Sequence, residues 1–151
     1  MYAGAAPIDS QRWHRDPEDK IVVKMFLYLN DVDEKTGPFM YVRGSHHLGK
    51  YKNLFPTAPP AGSYPPLGSV EEKISKGDIN IKTGRAGTII FCETSGLHKG
   101  GYATEKERLM FTAIYASKVA TSPKVYKFPE NFDPLGLNLS RLASYAIFSR
   151  N

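Results

Sequence analysis

The chain has one cysteine in 151 residues, Cys92, so no disulfide can form within it. That excludes the disulfide-stapled folds of small secreted domains and fits a reducing, cytoplasmic compartment. Cys92 closes the apolar run "TIIFC", where a thiol serves as a small core residue rather than a nucleophile. No uninterrupted apolar stretch approaches the roughly 20 residues that span a bilayer, so no membrane partner is expected. The opening "MYAGAAPIDS" has neither a basic n-region nor an apolar h-region, so no secretory signal is expected. A dense basic run is also lacking. The net charge of +5 comes from lysines and arginines scattered along the chain, which argues against nucleic acid. A mild positive field suits a small anionic co-substrate instead.

What remains is the size of one globular domain, 1–151, with a single core. Its apolar segments are short and rich in β-branched and aromatic residues: "IVVKMFLYL" (21–29), "PFMYV" (38–42), "INI" (79–81), "GTIIFC" (87–92) and "LMFTAIYAS" (109–117). Glycine-rich turns such as "DEKTGP", "RGSHHLGK", "KTGRAG" and "TSGLHKGG" separate them. This rhythm predicts a mainly β sandwich or jelly roll. A proline-rich loop at 51–71, with five prolines, interrupts it and has the length of a functional lid. The tail 138–150 predicts a terminal helix, with Asn138 as its cap.

Histidine is as sparse as the chemistry is specific, with only His14, His46, His47 and His98. His14 and Asp16 lie in "QRWHRDPED". Residues two apart on extended chain share a side, so both can face one metal while Arg15 faces away. An H-x-D triplet arises by chance in roughly one chain in five of this composition, so it carries little alone. His98, in the glycine-rich turn after "TIIFC", is the candidate third ligand. Two imidazoles and one carboxylate form the facial set of non-haem Fe(II) oxygenases, which leaves positions open for a bidentate ligand and dioxygen. Arg108, at the head of the last strand, can hold a carboxylate bidentately.

"QRWHRD…VVKMFLYLNDVDEKTGPFMYVRGSHHLGK" followed by "GTIIFCETSGLHKGGYATEKERLMFTAIYAS" resembles the phytanoyl-CoA dioxygenase family over about residues 11–118. The resemblance implies a double-stranded β-helix (jelly roll, cupin-like) and an Fe(II)- and 2-oxoglutarate-dependent dioxygenase. It further implies that His14, Asp16 and His98 bind iron and that Arg108 binds the distal carboxylate of 2-oxoglutarate. Phe26 falls where the family often has an aromatic residue beside the co-substrate, and Lys24 and Tyr28 share its strand face. The implied reaction hydroxylates a small organic substrate with dioxygen and releases succinate and CO2. Halogenases related to the family lack the carboxylate, so Asp16 favours hydroxylation.

Two positions depart from the family pattern. Arg43 replaces a proline before "GSHH", whose histidines are assigned to a structural turn. Gly100 stands where some members offer the co-substrate a hydroxyl. The family's jelly roll has eight core strands and the H-x-D motif follows the second. The first strand and the helices preceding it are therefore expected to be missing, leaving the domain partial. An exposed edge on strand 108–117 would then be covered by the missing segment or by a second copy. Two other readings stay open: a cupin-like isomerase or lyase using another divalent metal, and a non-catalytic β-sandwich binding module.

Overall fold

The computed structural model describes residues 9–56, 64–117, 120, 129–133, 136–141 and 143–144. Among these residues six strands form in chain order: β1 (Val23–Tyr28), β2 (Phe39–Val42), β3 (Ile79–Lys82), β4 (Ile89–Glu93), β5 (His98–Gly100) and β6 (Met110–Tyr115). They make two three-stranded antiparallel sheets, ordered β4-β1-β6 and β3-β2-β5. The chain crosses from one sheet to the other at every step except β2 to β3, which pair directly, and the fold is mainly β, as in a jelly roll. A 3-10 turn (Asp9–Gln11) precedes the strands, and a short helix, α1 (Ser69–Lys73), leads into β3.

Period-two alternation decides what each sheet buries. On β1, Phe26 and Tyr28 are buried and face inward with Lys24. On β2, Phe39 points to the same interior, and its ring lies 4.6 Å from that of Phe26. Tyr28 ties the two sheets together. Its hydroxyl donates to the carbonyl of Lys82 at 2.7 Å and accepts from the backbone N–H of Phe39 at 3.1 Å.

A second apolar cluster covers the outer face of β3-β2-β5. Trp13, Val42, Val70, Ile74 and Leu97 pack there, with Tyr51, Leu54 and Phe55 against them. Trp13 explains why α1 docks at this place: its indole Nε1–H donates to Glu71 at 2.7 Å, and the Lys99 ammonium lies 4.6 Å above the ring. A buried indole with its N–H satisfied is a strong anchor, because area is buried without an orphaned donor.

Five of the six strands fall on the apolar segments read from the sequence. The sixth, β5, was expected to be a turn. It is only three residues long and holds Gly100, so its own propensity is weak. Pairing with β2, in the register Phe39↔Gly100 and Tyr41↔His98, makes it a strand. The proline-rich loop is shorter than 51–71, because α1 begins at Ser69 and Tyr51 to Phe55 belong to the core cover. Residues 57–63 lie outside the described residues, as does most of the expected terminal helix. At its start Ser140, not Asn138, makes the capping bond, accepting from the N–H of Ala143 at 3.2 Å. Strand β6 pairs with β1 alone among the described residues.

Candidate metal centre

The stretch "QRWHRD" runs extended beside the second sheet. His14 and His98 form a backbone bridge, N–H to carbonyl at 3.0 Å in both directions, and the Asp16 N–H donates to the carbonyl of Thr94 at 2.9 Å. These three backbone bonds bring two imidazoles and a carboxylate, 84 residues apart in sequence at the extremes, to one point. One ligand atom from each of His14, Asp16 and His98 lies within 4.8 Å of the others. His14 Nε2 is 3.7 Å from Asp16 Oδ1 and His98 Nε2 is 3.6 Å from Asp16 Oδ2.

The outer nitrogens settle the tautomers. His14 Nδ1 is 2.8 Å from the carbonyl of Arg12, and His98 Nδ1 is 2.9 Å from that of Gly96. A carbonyl only accepts, so each neutral ring carries its hydrogen on Nδ1 and turns an Nε2 lone pair toward Asp16. Such carbonyl partners are the usual orienting contacts of metal-binding histidines. His98 is buried, and burial, with help from the adjacent His14, lowers its pKa to about 4 against the opposing pull of Asp16. It is neutral near pH 7, as a ligand must be. Burial pushes the Asp16 carboxyl up, but His98, Lys24 and Thr94 together hold it below its ordinary value. The centre therefore presents two lone pairs and a carboxylate on one side. Ligands bonded to a cation at about 2.1 Å sit about 3 Å apart, so the observed spacing fits after small side-chain shifts.

Lys24 reaches the same carboxylate, its Nζ 2.6 Å from Asp16 Oδ2, on a side chain only 13% exposed. Phe26 lies deeper, stacked on Phe39, whose ring centroid is 5.8 Å from that of His98. Tyr64, at the described end of the proline-rich segment, sets its ring edge-on to His14 at 6.1 Å, with the Arg12 guanidinium 4.5 Å from its face.

Arg108, just before β6, is half-buried. It donates to the carbonyl of Gly37 at 2.5 Å and to the Tyr28 hydroxyl. Burial lowers its pKa while Tyr28 opposes the shift, and the guanidinium stays charged. Asn30 straddles it, donating to the carbonyl of Glu107 at 2.9 Å and accepting from the N–H of Leu109 at 2.8 Å. Gly37 must be glycine: its φ is +77° and a Cβ would come 2.6 Å from the carbonyl of Gly101. The guanidinium approaches Gly100, two residues beyond His98 on the same face of β5. Two strand residues span about 6.6 Å, the scale of a short diacid between a metal and a cation.

Arg15 faces away from the triad, as two-residue alternation predicts. Its task there was not visible in the sequence. All five guanidinium N–H groups meet backbone carbonyls: Phe55 at 2.9 Å, Ser45 at 2.6 Å, Ser95 at 2.7 Å, Tyr51 at 3.1 Å and Leu54 at 3.0 Å. The "GSHH" turn and the residues before His98 are thereby fastened to the H-x-D segment. His46, His47 and Glu93 also lie within 4.8 Å of each other. There, Glu93 Oε1 already receives His47 Nδ1 at 2.9 Å, the His47 N–H at 3.2 Å and the Ser95 hydroxyl at 2.7 Å. These bonds hold the turn to β4, consistent with a structural turn. Burial pushes the Cys92 thiol up to about 12, with the charges of Asp16 and Glu93 adding to it, so it is no thiolate.

Among the described residues, no helix is long and apolar enough to cross a membrane. No curated protein matches the chain. Among solved structures, it is similar to the non-heme alpha ketoglutarate dependent epimerase SnoN from nogalamycin biosynthesis. The two are 21% identical with a TM-score of 0.51, and the match covers 73% of this chain and 40% of the epimerase. That likeness concerns the fold, and this chain spans well under half of the epimerase's length. The family model described as phytanoyl-CoA dioxygenase (PhyH) matches residues 7–110, more than half of the sequence. The chain belongs to the phytanoyl-CoA dioxygenase family.

Proposed function

We propose that this chain, as one domain, is an Fe(II)- and 2-oxoglutarate-dependent dioxygenase that hydroxylates a small organic substrate and releases succinate and CO2. The observation that carries the reading is the pair of imidazoles whose Nδ1–H groups are fixed on carbonyls, leaving two Nε2 lone pairs beside the Asp16 carboxylate. His14, Asp16 and His98 hold the metal in this reading. Iron bound there would supply the activation of dioxygen, coupled to oxidative decarboxylation of the keto acid. Arg108, held by Asn30, Gly37 and Tyr28, takes the distal carboxylate and so fixes how the co-substrate lies. Phe26 and Phe39 form the dry wall beside it, and Lys24 balances the Asp16 charge next to the keto-acid position. Asp16 fills the coordination position that a halogenase leaves to halide, which favours hydroxylation. The single thiol fits a cytoplasmic setting.

The partner side of the proposal concerns β6. Its edge carries one ladder among the described residues, and the outer face of its sheet shows Phe91 67% exposed and Phe111 51% exposed. Further polypeptide or a second copy is proposed to cover this face.

Anaerobic titration with Fe(II) and 2-oxoglutarate, followed through the visible chelate band, tests the assignment. His14→Ala is expected to abolish iron binding. Arg108→Ala is expected to keep iron and weaken the keto acid at least tenfold. Both variants binding like the parent would reject the site. A cupin-like isomerase would bind metal yet form no succinate in air.

A further inference from the structure

Between β2 and β3 of one sheet and β4 of the other lies an open cavity of about 430 Å³, within the range of small-molecule sites. Its walls follow from the strand register. Directly paired residues share a face, so Tyr41, which pairs with both His98 and Asn80, puts these three in one row across the second sheet. Phe39 does the same for Gly100 and Lys82. The cavity is lined by Tyr41, Asn80, Phe39 and Lys82 from this sheet, and by Ile90 and Cys92 from β4. It therefore lies about one to two strand spacings, roughly 5–10 Å, from the column holding His98 and Gly100. The opposite wall is equally close to the triad, because Cys92 pairs with Lys24, which touches Asp16.

Arg43, Lys82 and Glu93 are the charged side chains of this lining. At its mouth Arg43 is held by Asp78 at 3.2 Å, and Glu93 is occupied by His47 and Ser95. Lys82 faces the cavity, and among the described residues no carboxylate pairs with its ammonium. Its backbone is fixed, since its carbonyl receives the Tyr28 hydroxyl. A half-buried ammonium with no carboxylate within 4.0 Å among the described residues, next to an aromatic ring and aliphatic Ile90, is complementary to one kind of ligand. That ligand has an apolar body and a single anionic end.

We propose that this cavity is the substrate pocket and that Lys82 selects a small organic acid, binding its carboxylate about two strand spacings from the strand that carries His98. The apolar body then lies across Phe39 toward His98, which places a carbon several bonds from the carboxylate nearest the reacting position. Asn80, two residues before Lys82 on the same face of β3, offers a hydrogen bond beside it. The assignment of the cavity to a substrate rests on the oxygenase reading; the preference for an anion does not.

The test uses hexanoate, octanoate and phenylacetate against their primary amides, with the full chain, Fe(II) and saturating 2-oxoglutarate under nitrogen. Binding is read by saturation-transfer NMR and calorimetry. At least one acid is expected to bind tenfold or more tightly than its amide. Lys82→Met is expected to erase that preference and Lys82→Arg to keep much of it, with amide binding and the chelate band unchanged in both. Acids that bind no better than amides, or a preference that survives Lys82→Met, overturn the proposal. If the chelate band never forms but the Lys82-dependent preference is present, the oxygenase reading fails and the anion site stands. If the band forms and the preference is absent, the anion site alone fails.

Discussion

The guanidinium of Arg108 lies where a side chain on Gly100 would have to go: a Cβ there would come 2.9 Å from Nη2. The missing hydroxyl at Gly100 is thus tied to the placement of the arginine. In this chain the glycine makes the room into which the cation settles against Gly37 and Tyr28.

Gly100→Ser consequently should not restore a hydrogen bond to the co-substrate. The added Cβ pushes the guanidinium off its two acceptors, and 2-oxoglutarate affinity is expected to fall about tenfold, or about 1.4 kcal/mol. Iron binding should stay at the parent value, since His98 keeps its backbone bonds to His14. Equal or tighter 2-oxoglutarate binding in anaerobic calorimetry would show that the glycine has no such role.

Arg15 gives a prediction about stability rather than binding. Its five donors meet carbonyls of the turn around Ser45, the segment Tyr51–Phe55 and Ser95. Removing them leaves acceptors that must find water, at a cost of about 1 kcal/mol or more for each that stays dry. Arg15→Met is expected to destabilise the chain by about 2–4 kcal/mol in urea unfolding. Arg15→Lys should recover only a small part, because an ammonium has three donors and no planar fork. A Met variant as stable as the parent would mean that these carbonyls are solvated already.

The contrast between Asp16 and Arg15 shows what a sequence discloses. His14 and Asp16 stand out in the sequence because metal ligation calls for particular side chains, and the structure brings them together with His98; the strands β1, β2, β3, β4 and β6 are legible because they fall on short apolar segments. Arg15 was not, since its partners are backbone carbonyls that any residue supplies. Strand β5 escaped for a related cause: three residues ending in glycine have no pattern of their own and take their conformation from Phe39 and Tyr41. Alternation along β1 places Lys24 on the face of Phe26, but its contact with Asp16 depends on where the segment before β1 lies against the sheet. Asn30 carried no metal or acid–base signal, and its hold on Arg108 spans 77 and 79 residues of chain.

His98 makes the stability of the fold depend on pH in a defined window. In the unfolded chain its imidazole takes up a proton near 6.5, whereas burial lowers the folded value to about 4. Between these values the unfolded state binds more protons, so stability must fall as the pH falls. The contribution is fully present above about 6.5 and gone once the folded state also protonates, below about 4. Asp16, also held below its ordinary value, adds a loss of the same sign at lower pH, below the usual carboxylate range. Urea midpoints measured from pH 7.5 to 4.5 with a chelator present should therefore decline for the parent. His98→Gln keeps a neutral polar side chain without the titration, so its decline over that window should be shallower, whatever its stability at pH 7.5. Parallel curves for the two proteins would mean that the His98 imidazole titrates in the fold much as it does in water, and the dry, neutral ligand inferred for the centre would have to be given up.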